Sequence, residues 1–235
     1  MELVLVFAAA TGRTLVLPPD QPMYLLNAGK GHQKAHNFAD FFPFDIIKQR
    51  VPVISMEDFM SKEAITGNLR YNSDPHRVAY PPQNKTEFIA TERTERLMMW
   101  DYLRNVSACP YWKNMKEFIV IPEGPGINAS AMALKQPYKR RQELFAAGRD
   151  AIYYDDYWQN QMVIHFISKP ELGYRLLEHF YVFIHFQDPA VDRLYKRFVR
   201  DYVHYIDTIF CKAAIIINKL LEEGKGRYSS FHIRR

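Results

Sequence analysis

The residues best suited to chemistry lie in residues 228–235, which read YSSFHIRR. This pattern predicts a β-strand, in which His232 and Arg234 share one face while Phe231 and Ile233 share the other and suit burial against helices. Arginine offers a planar fork for two phosphate oxygens, and histidine adds another N–H donor. Ligands of open α/β sheets bind beyond the carboxyl ends of the strands, so the pair is a candidate phosphate site. The alternative is an ordinary edge strand with two solvated arginines.

A strand of this kind needs a sheet to hold it, and the rest of the chain supplies strand and helix patterns in alternation. Residues 118–122 (FIVIP) form a continuous apolar run, which is typical of a buried strand in a parallel sheet. Residues 162–168 and residues 179–186 predict two further strands, and residues 67–90 predict a long irregular loop. The alternation favours the α/β class with a mostly parallel sheet.

Several helix starts and ends can be predicted from the residues next to them in the sequence. Gly12 is placed to end a first helix, and the RTLVLPP run after it predicts a buried strand stopped by two prolines. Ser55 begins a capping-box pattern that opens a helix over residues 56–62. Asp188, followed by proline, predicts the start of the longest helix, which ends at Gly224.

Two helices carry apolar stripes at helical spacing. The stripe expected in the helix over residues 91–106 consists of Leu97, Met98, Tyr102 and Leu103. The stripe expected to keep the long helix in the core over more than seven turns consists of Leu194, Phe198, Tyr202, Ile206, Ile209, Ala213, Ile216 and Leu220.

Composition excludes several classes. The chain has 235 residues with 31 basic and 26 acidic side chains, so its net charge is only +5 and does not indicate a nucleic-acid partner. Two cysteines, Cys109 and Cys211, cannot define a disulfide scaffold; they could pair, stay free or have partners outside the given sequence. His165, His179 and His185 have no carboxylate or cysteine at ligand spacing, so a metal site is rejected.

Four segments together resemble the GDP-fucose protein O-fucosyltransferase family, in its plant and algal form. FHIRR is similar to the His-Leu-Arg-Arg motif of those enzymes, and GRTLVLPP (residues 12–19) resembles their first strand. HFYVFIHFQDP (residues 179–189) and LYKRFVRDYVHY (residues 194–205) resemble the stretch that leads to the motif. The resemblance covers most of the chain discontinuously.

The resemblance implies a fold of two Rossmann-like domains that face each other across a cleft, the GT-B arrangement. Residues 1–223 would be an amino-terminal domain that lacks its start, and residues 224–235 would open a carboxyl-terminal, donor-binding domain. The chain is therefore expected to be truncated at both ends and inactive alone.

The same resemblance implies transfer of fucose from GDP-fucose to a Ser or Thr hydroxyl of a protein, with inversion. Arg234 matches the key arginine of the motif and would be catalytic, and both His232 and Arg234 would bind the donor. No metal or cofactor other than the donor substrate is implied. The acceptor would be a protein or glycan in the lumen of the Golgi or endoplasmic reticulum, and a membrane anchor could lie only on upstream sequence.

Two alternatives stay open. The chain could belong to a different nucleotide-sugar-dependent GT-B transferase, or it could be a non-catalytic relic of the fold that serves as a binding module. A Gly-Gly-x-Asn-Asn-like loop upstream would argue against the relic, and sequence after Arg235 would separate the two transferases.

Overall fold

A computed structural model describes residues 1–22, 35–82, 93–109, 117–121, 147–166, 183–186 and 188–230. Its helices and strands, in chain order, are α1 (Glu2–Thr11), β1 (Leu15–Leu17), β2 (Gln21–Pro22), β3 (Ala35–His36), a 3-10 turn (Phe38–Asp40), α2 (Phe44–Ile47), β4 (Val53–Ser55), α3 (Met56–Asp58), a π-helical segment (Phe59–Glu63), a second 3-10 turn (Ala64–Thr66), β5 (Arg70–Tyr71), β6 (Asp74–Val78), α4 (Arg93–Val106), β7 (Glu117–Ile121), β8 (Asp150–Tyr153), α5 (Asp156–Gln159), β9 (Ile184–Phe186), α6 (Pro189–Tyr202) and α7 (Asp207–Glu223).

The strands form two parallel sheets and two short antiparallel pairs. β1 pairs with β4 in parallel, and β7 lies between β8 and β9 in a parallel sheet of three strands. Every residue of β7 is buried, as its continuous apolar run predicts for a strand covered on both faces. The described residues therefore confirm a mixed α/β protein with parallel sheets.

Helix α1 packs against both parallel sheets. Leu3 faces the three-stranded sheet in a cluster with Ile119 and Phe186. Leu5, on the other flank of the helix, packs in a cluster with Val53 of the two-stranded sheet. The strongly apolar helix α1 is therefore buried by contacts with both parallel sheets.

A second group of helices covers the opposite face of the two-stranded sheet. Val16 and Ile54 pack against a cluster that contains Met99 and Leu103 of α4 and Met56 of α3. Because strand side chains alternate, neighbouring residues of β1 and β4 reach two different cores. The layer is thus helix, sheet, helix at this point.

The local stop and start signals are confirmed. Gly12 ends α1 in the left-handed conformation, with φ of 67°, which glycine adopts without a Cβ clash. The Ser55 hydroxyl accepts from the backbone N–H of Asp58 at 3.0 Å, and the Asp188 carboxylate accepts from that of Ala190 at 2.6 Å. The helix at Ser55 changes from α to π geometry at Phe59, within the predicted span.

The single long helix predicted after Asp188 is wrong, since the structure has two helices, α6 and α7. Val203 ends α6, and Ile206 begins α7 after a short break. The break is made by tertiary contacts: Ile206 N–H donates to the Phe41 carbonyl at 2.9 Å, and Tyr205 stacks on Phe42. These contacts redirect a chain whose apolar spacing favoured continuation.

The predicted apolar stripes are confirmed only in part. The side chains of Leu194, Ile216 and Leu220 are 61%, 60% and 41% exposed, so they do not belong to the core. In α4, Leu97 and Met98 are exposed, whereas the buried stripe consists of Met99, Tyr102, Leu103 and Val106. Tyr102 and Leu103 are therefore confirmed as core residues, whereas Leu97 and Met98 are replaced by Met99 and Val106, because the neighbours of the helix decide which of two adjacent apolar faces is covered.

Four other segments differ from expectation. The predicted loop over residues 67–90 contains the antiparallel hairpin of β5 and β6. Residues 162–166 form no strand, only a parallel bridge between Ile164 and Ala108. Residues 228–230 are exposed and lie outside any strand. β1, expected to be buried, is half-buried.

In the part of the chain that the structure describes, no helix is both long and apolar enough to cross a membrane.

Candidate functional site

His232 and Arg234, the residues predicted to bind the donor, lie outside the described residues, as does His179. The role of the arginine motif is therefore still a prediction. The described part of the chain offers a different feature, a cavity of about 800 Å³ between β1 and residues 163–166.

The cavity has walls on four sides. Residues 12–18 line one side and residues 163–166 line the opposite side. Phe7 and Ala8 of α1 form one face, and Met56 and Leu103, from α3 and α4, form the other. Most of this lining is apolar, so the cavity suits an apolar occupant.

Arg13, at the rim of the cavity, is held by several hydrogen bonds. Its Nε donates to the Tyr154 hydroxyl at 2.8 Å. Its terminal nitrogens donate to the backbone carbonyls of Gln161 at 2.8 Å, Trp158 at 2.6 Å and Gln159 at 3.0 Å. These acceptors fix the guanidinium between the end of β8 and the short helix α5. Arg13 therefore has a structural role, because few of its N–H groups are left for an anion.

His165 is the main polar side chain of the opposite wall. Its ring stacks on Trp100, with 5.6 Å between centroids and 13° between planes. Its Nδ1 is buried and has no hydrogen-bond partner among the described residues. Burial, with the nearby positive charge of Arg104 as a smaller cause, lowers the pKa of His165 to about 4. The imidazole is therefore neutral at physiological pH.

These properties decide what the cavity can bind. A nucleotide pyrophosphate needs cations or several N–H donors, as arginine forks and helix termini provide. Among the described lining residues, Arg13 is already hydrogen-bonded and His165 is neutral, so neither of them supplies a free cation for a pyrophosphate. The sequence alone gives no signal for Arg13 or Trp100, because each acts through a partner that lies far away in the chain.

The remaining candidates form no site in the described chain. Cys109 is half-buried, Cys211 is exposed, and neither forms a disulfide. His185 is buried in β9, with its ring edge-on to Phe118. Across the residues that the structure describes, no three His, Cys, Asp or Glu side chains are grouped so that they could hold a metal ion.

Small parallel sheets covered by helices are compatible with the fold of a glycosyltransferase. A family model described as GDP-fucose protein O-fucosyltransferase matches residues 1–235, the whole chain, and the chain belongs to that family. Membership implies a transferase with GDP-fucose as donor and a protein as acceptor, in a family typical of the secretory pathway. No curated protein and no solved structure matches the chain.

Proposed function

We propose that the chain is part of an inverting fucosyltransferase that transfers fucose from GDP-fucose to a Ser or Thr hydroxyl of a protein in the lumen of the Golgi or endoplasmic reticulum. The observation that carries the proposal is the family match over the whole chain, which includes the FHIRR motif. In the reaction, the acceptor oxygen bonds to the anomeric carbon of fucose from the side opposite GDP. The bond from that carbon to the β-phosphate oxygen breaks, and the acceptor proton passes to a base.

Arg234 is proposed as the catalytic residue. As the glycosidic bond breaks, negative charge collects on the β-phosphate of GDP, and a fixed donor there stabilises the transition state more than the ground state. The guanidinium fork of Arg234 can bind two phosphate oxygens, and His232, two positions earlier on the same predicted strand face, would contact the donor. Arg235 falls on the opposite face and has no role in this scheme.

Residues 1–223 are proposed as the amino-terminal domain of a two-domain GT-B transferase, with residues 224–235 beginning the donor-binding domain. The surface of α7 supports a second domain. Most of its large apolar residues gather on one side of the helix and most of these are exposed, whereas Ile215 lies on the other side; the residues of the apolar side are Ile209, Phe210, Ala213, Ile216, Ile217, Leu220 and Leu221. A helix with such a stripe is normally covered, and a second domain would cover it.

The test is steady-state kinetics of GDP release in a full-length form cloned from the gene. We expect Arg234→Ala to reduce turnover by about 100-fold or more, the scale of losing one preorganised donor at a developing anion. Arg234→Lys should recover little of the lost turnover, because the point charge of an ammonium does not replace the two-pronged guanidinium. His232→Ala should lie between wild type and Arg234→Ala, mainly through weaker donor binding.

Arg235→Ala is the matched control, since it removes the same charge from the neighbouring position. We expect its turnover to stay within a few-fold of wild type at an unchanged melting temperature. If Arg235→Ala were inactive and Arg234→Ala active, the assignment of these arginines to the two faces of the predicted strand would be wrong, and so would the donor site.

A further inference from the structure

We propose that Asn105, near the carboxyl end of α4, is an N-glycosylation site, and that its oligosaccharide is attached before α4 packs into the protein. The modification takes place in the secretory lumen, so it rests on the lumenal location given by the proposed function. It goes beyond that function, because neither the donor site nor the transfer of fucose assigns a role to Asn105.

The acceptor signal for this modification is the sequence Asn-x-Ser/Thr, in which x is not proline. The chain carries this sequon at Asn84, Asn105 and Asn128. Asn84 and Asn128 lie outside the described residues, and the structure shows the surroundings of Asn105. In that sequon x is Val106 and the hydroxyl residue is Ser107. The accessibility of these three side chains therefore decides whether the sequon can be used.

The side chain of Asn105 is exposed in the folded protein. Its Nδ2 donates to the backbone carbonyl of Asp101 at 2.9 Å and to the carboxylate of the same residue at 3.4 Å. The nitrogen of an asparagine amide has two N–H donors, and a glycan replaces one of them. The other N–H can keep the bond to the Asp101 carbonyl. A glycan on Nδ2 therefore extends into solvent without leaving a buried group unpaired.

The backbone around Asn105 is fixed by the turn between β5 and β6. The backbone N–H of Asn72 donates to the Asn105 carbonyl at 2.7 Å. The Asn72 side chain donates to the carbonyls of Arg104 at 3.2 Å and Ser107 at 2.8 Å. These bonds supply donors to carbonyls at the end of a helix, where partners within the helix are missing. The backbone of the sequon is thus held in place while the Asn105 side chain stays in solvent.

The hydroxyl residue of the sequon is buried. Ser107 is only 2% exposed, and its Oγ donates to the Leu103 carbonyl at 2.5 Å. Val106 is also buried, in the same cluster as Leu103. Because the acceptor signal includes the hydroxyl, a transferase cannot read it once α4 has packed. The sugar must therefore be transferred to the chain before this part of it folds.

The transfer balances with a lipid-linked oligosaccharide diphosphate as the donor. The amide nitrogen of Asn105 bonds to the anomeric carbon of the first sugar, and the bond from that carbon to the diphosphate oxygen breaks. The bonding electrons leave with the lipid diphosphate, and one amide proton passes to a base of the transferase. The Ser107 hydroxyl is unchanged, so it can still bond to the Leu103 carbonyl when α4 folds.

The experiment expresses the full-length form behind a cleavable secretory signal in cultured animal cells. Peptides from the purified protein are treated with peptide-N-glycosidase in heavy-oxygen water, which converts each glycosylated asparagine to a labelled aspartate, and are read by mass spectrometry. We expect the label at Asn105 on most chains. An unlabelled Asn105 overturns the proposal.

Asn72 is the matched control in the same sample. It is an exposed asparagine beside Asn105, but the residue two positions later is Asp74, so it has no sequon. We expect no label at Asn72 beyond that of spontaneous deamidation. Equal label at Asn72 and Asn105 would contradict glycosylation at Asn105.

Failure of this proposal can be distinguished from failure of the proposed location, because the added signal delivers every chain to the lumen. Label at Asn84 or Asn128 with an unlabelled Asn105 would overturn the site and leave the location as it is. The same full-length form without the added signal tests the location. Absence of label from all three sequons there would contradict the lumenal location, and with it a glycan in the natural protein.

Ser107→Ala and Ser107→Thr separate the sequon from the exposure of Asn105. Asn105 is intact in both variants, but only threonine keeps the hydroxyl. We expect the label to be lost in Ser107→Ala and kept in Ser107→Thr. Because the sugar is attached before folding, the label reports the sequon whether or not a variant folds. Label at Asn105 in Ser107→Ala would contradict the proposal.

Pulse labelling tests the order of glycosylation and folding. In a chain that also carries Asn84→Gln and Asn128→Gln, every glycan is attached to Asn105. We expect the glycosylated share of this chain to be set by the end of synthesis and to stay constant during a chase, because folding buries Ser107. A share that rises during the chase would show that the packed sequon is still read, and it would overturn the proposed order.

Discussion

Arg13 and Tyr154, 141 positions apart in the chain, are joined by a hydrogen bond of 2.8 Å from the guanidinium Nε to the phenol oxygen. The same guanidinium also holds three backbone carbonyls near α5. One side chain therefore ties the amino end of β1 to the turn that follows β8.

We expect Arg13→Ala to lower the free energy of unfolding by about 2–4 kcal/mol, because charged hydrogen bonds are lost and partly buried carbonyls are left without donors. Arg13→Lys should lower the free energy of unfolding by less than Arg13→Ala does, but it should not match wild type, since a single ammonium cannot reach the same set of acceptors. Chemical denaturation followed by circular dichroism measures the change. Arg200→Ala, which breaks only an exposed pair with Asp201, is the matched control and should leave stability nearly unchanged. Equal effects of the two alanine variants would contradict this role for Arg13.

His165 should make stability depend on pH. Its pKa is lowered in the folded state from 6.5 to about 4, so between these values the unfolded chain binds the proton and the folded chain does not. Its contribution is complete above pH 6.5 and is lost as the pH falls towards 4. We expect a loss of about 2 kcal/mol between pH 7 and pH 5, measured by urea unfolding at both values.

His165→Phe should remove this part of the pH dependence, because the ring still stacks on Trp100 but no longer titrates. His76→Asn, at an exposed position, should leave the dependence as it is. If His165→Phe and wild type lost the same stability on acidification, burial of His165 would not be the cause of the pH dependence.

The exposed apolar side of α7 predicts self-association. Ile216→Gln combined with Leu220→Gln should slow aggregation and reduce binding to a hydrophobic column, because both side chains are exposed. The melting temperature should change by no more than about 2 °C, as is usual for surface substitutions. Leu103→Gln, at a buried position of α4, is the control that should destabilise strongly. A large fall in melting temperature for the α7 variant would show that this face is already covered.

Residues 1–235 alone should not turn over GDP-fucose, because the proposed donor-binding domain is represented only from residue 224 onwards. The measurement is GDP release over several hours with an active member of the family as the positive control. Turnover above the blank by the chain of residues 1–235 would contradict the two-domain proposal, although it would agree with family membership.

Local features could be predicted from the sequence because their causes are local. The left-handed turn at Gly12 follows from the absence of a Cβ, and the caps at Ser55 and Asp188 follow from side chains that accept from the next turn. The burial of β7 follows from a continuous apolar run that suits a strand covered on both faces. The family could also be predicted, since it can be identified from the order of its motifs along the chain.

Other features depend on residues that meet only after folding. The pattern in residues 188–224 favours one helix, and the break before Ile206 comes from a hydrogen bond to Phe41, which lies 165 positions earlier. Residues 162–166 read as a strand, yet a strand exists only when another strand pairs with it, and a cavity lies at that edge. The neutral state of His165 likewise depends on burial against Trp100. Spacing along the chain determines which elements can form, whereas pairing, burial and the charge of a side chain are decided by distant partners.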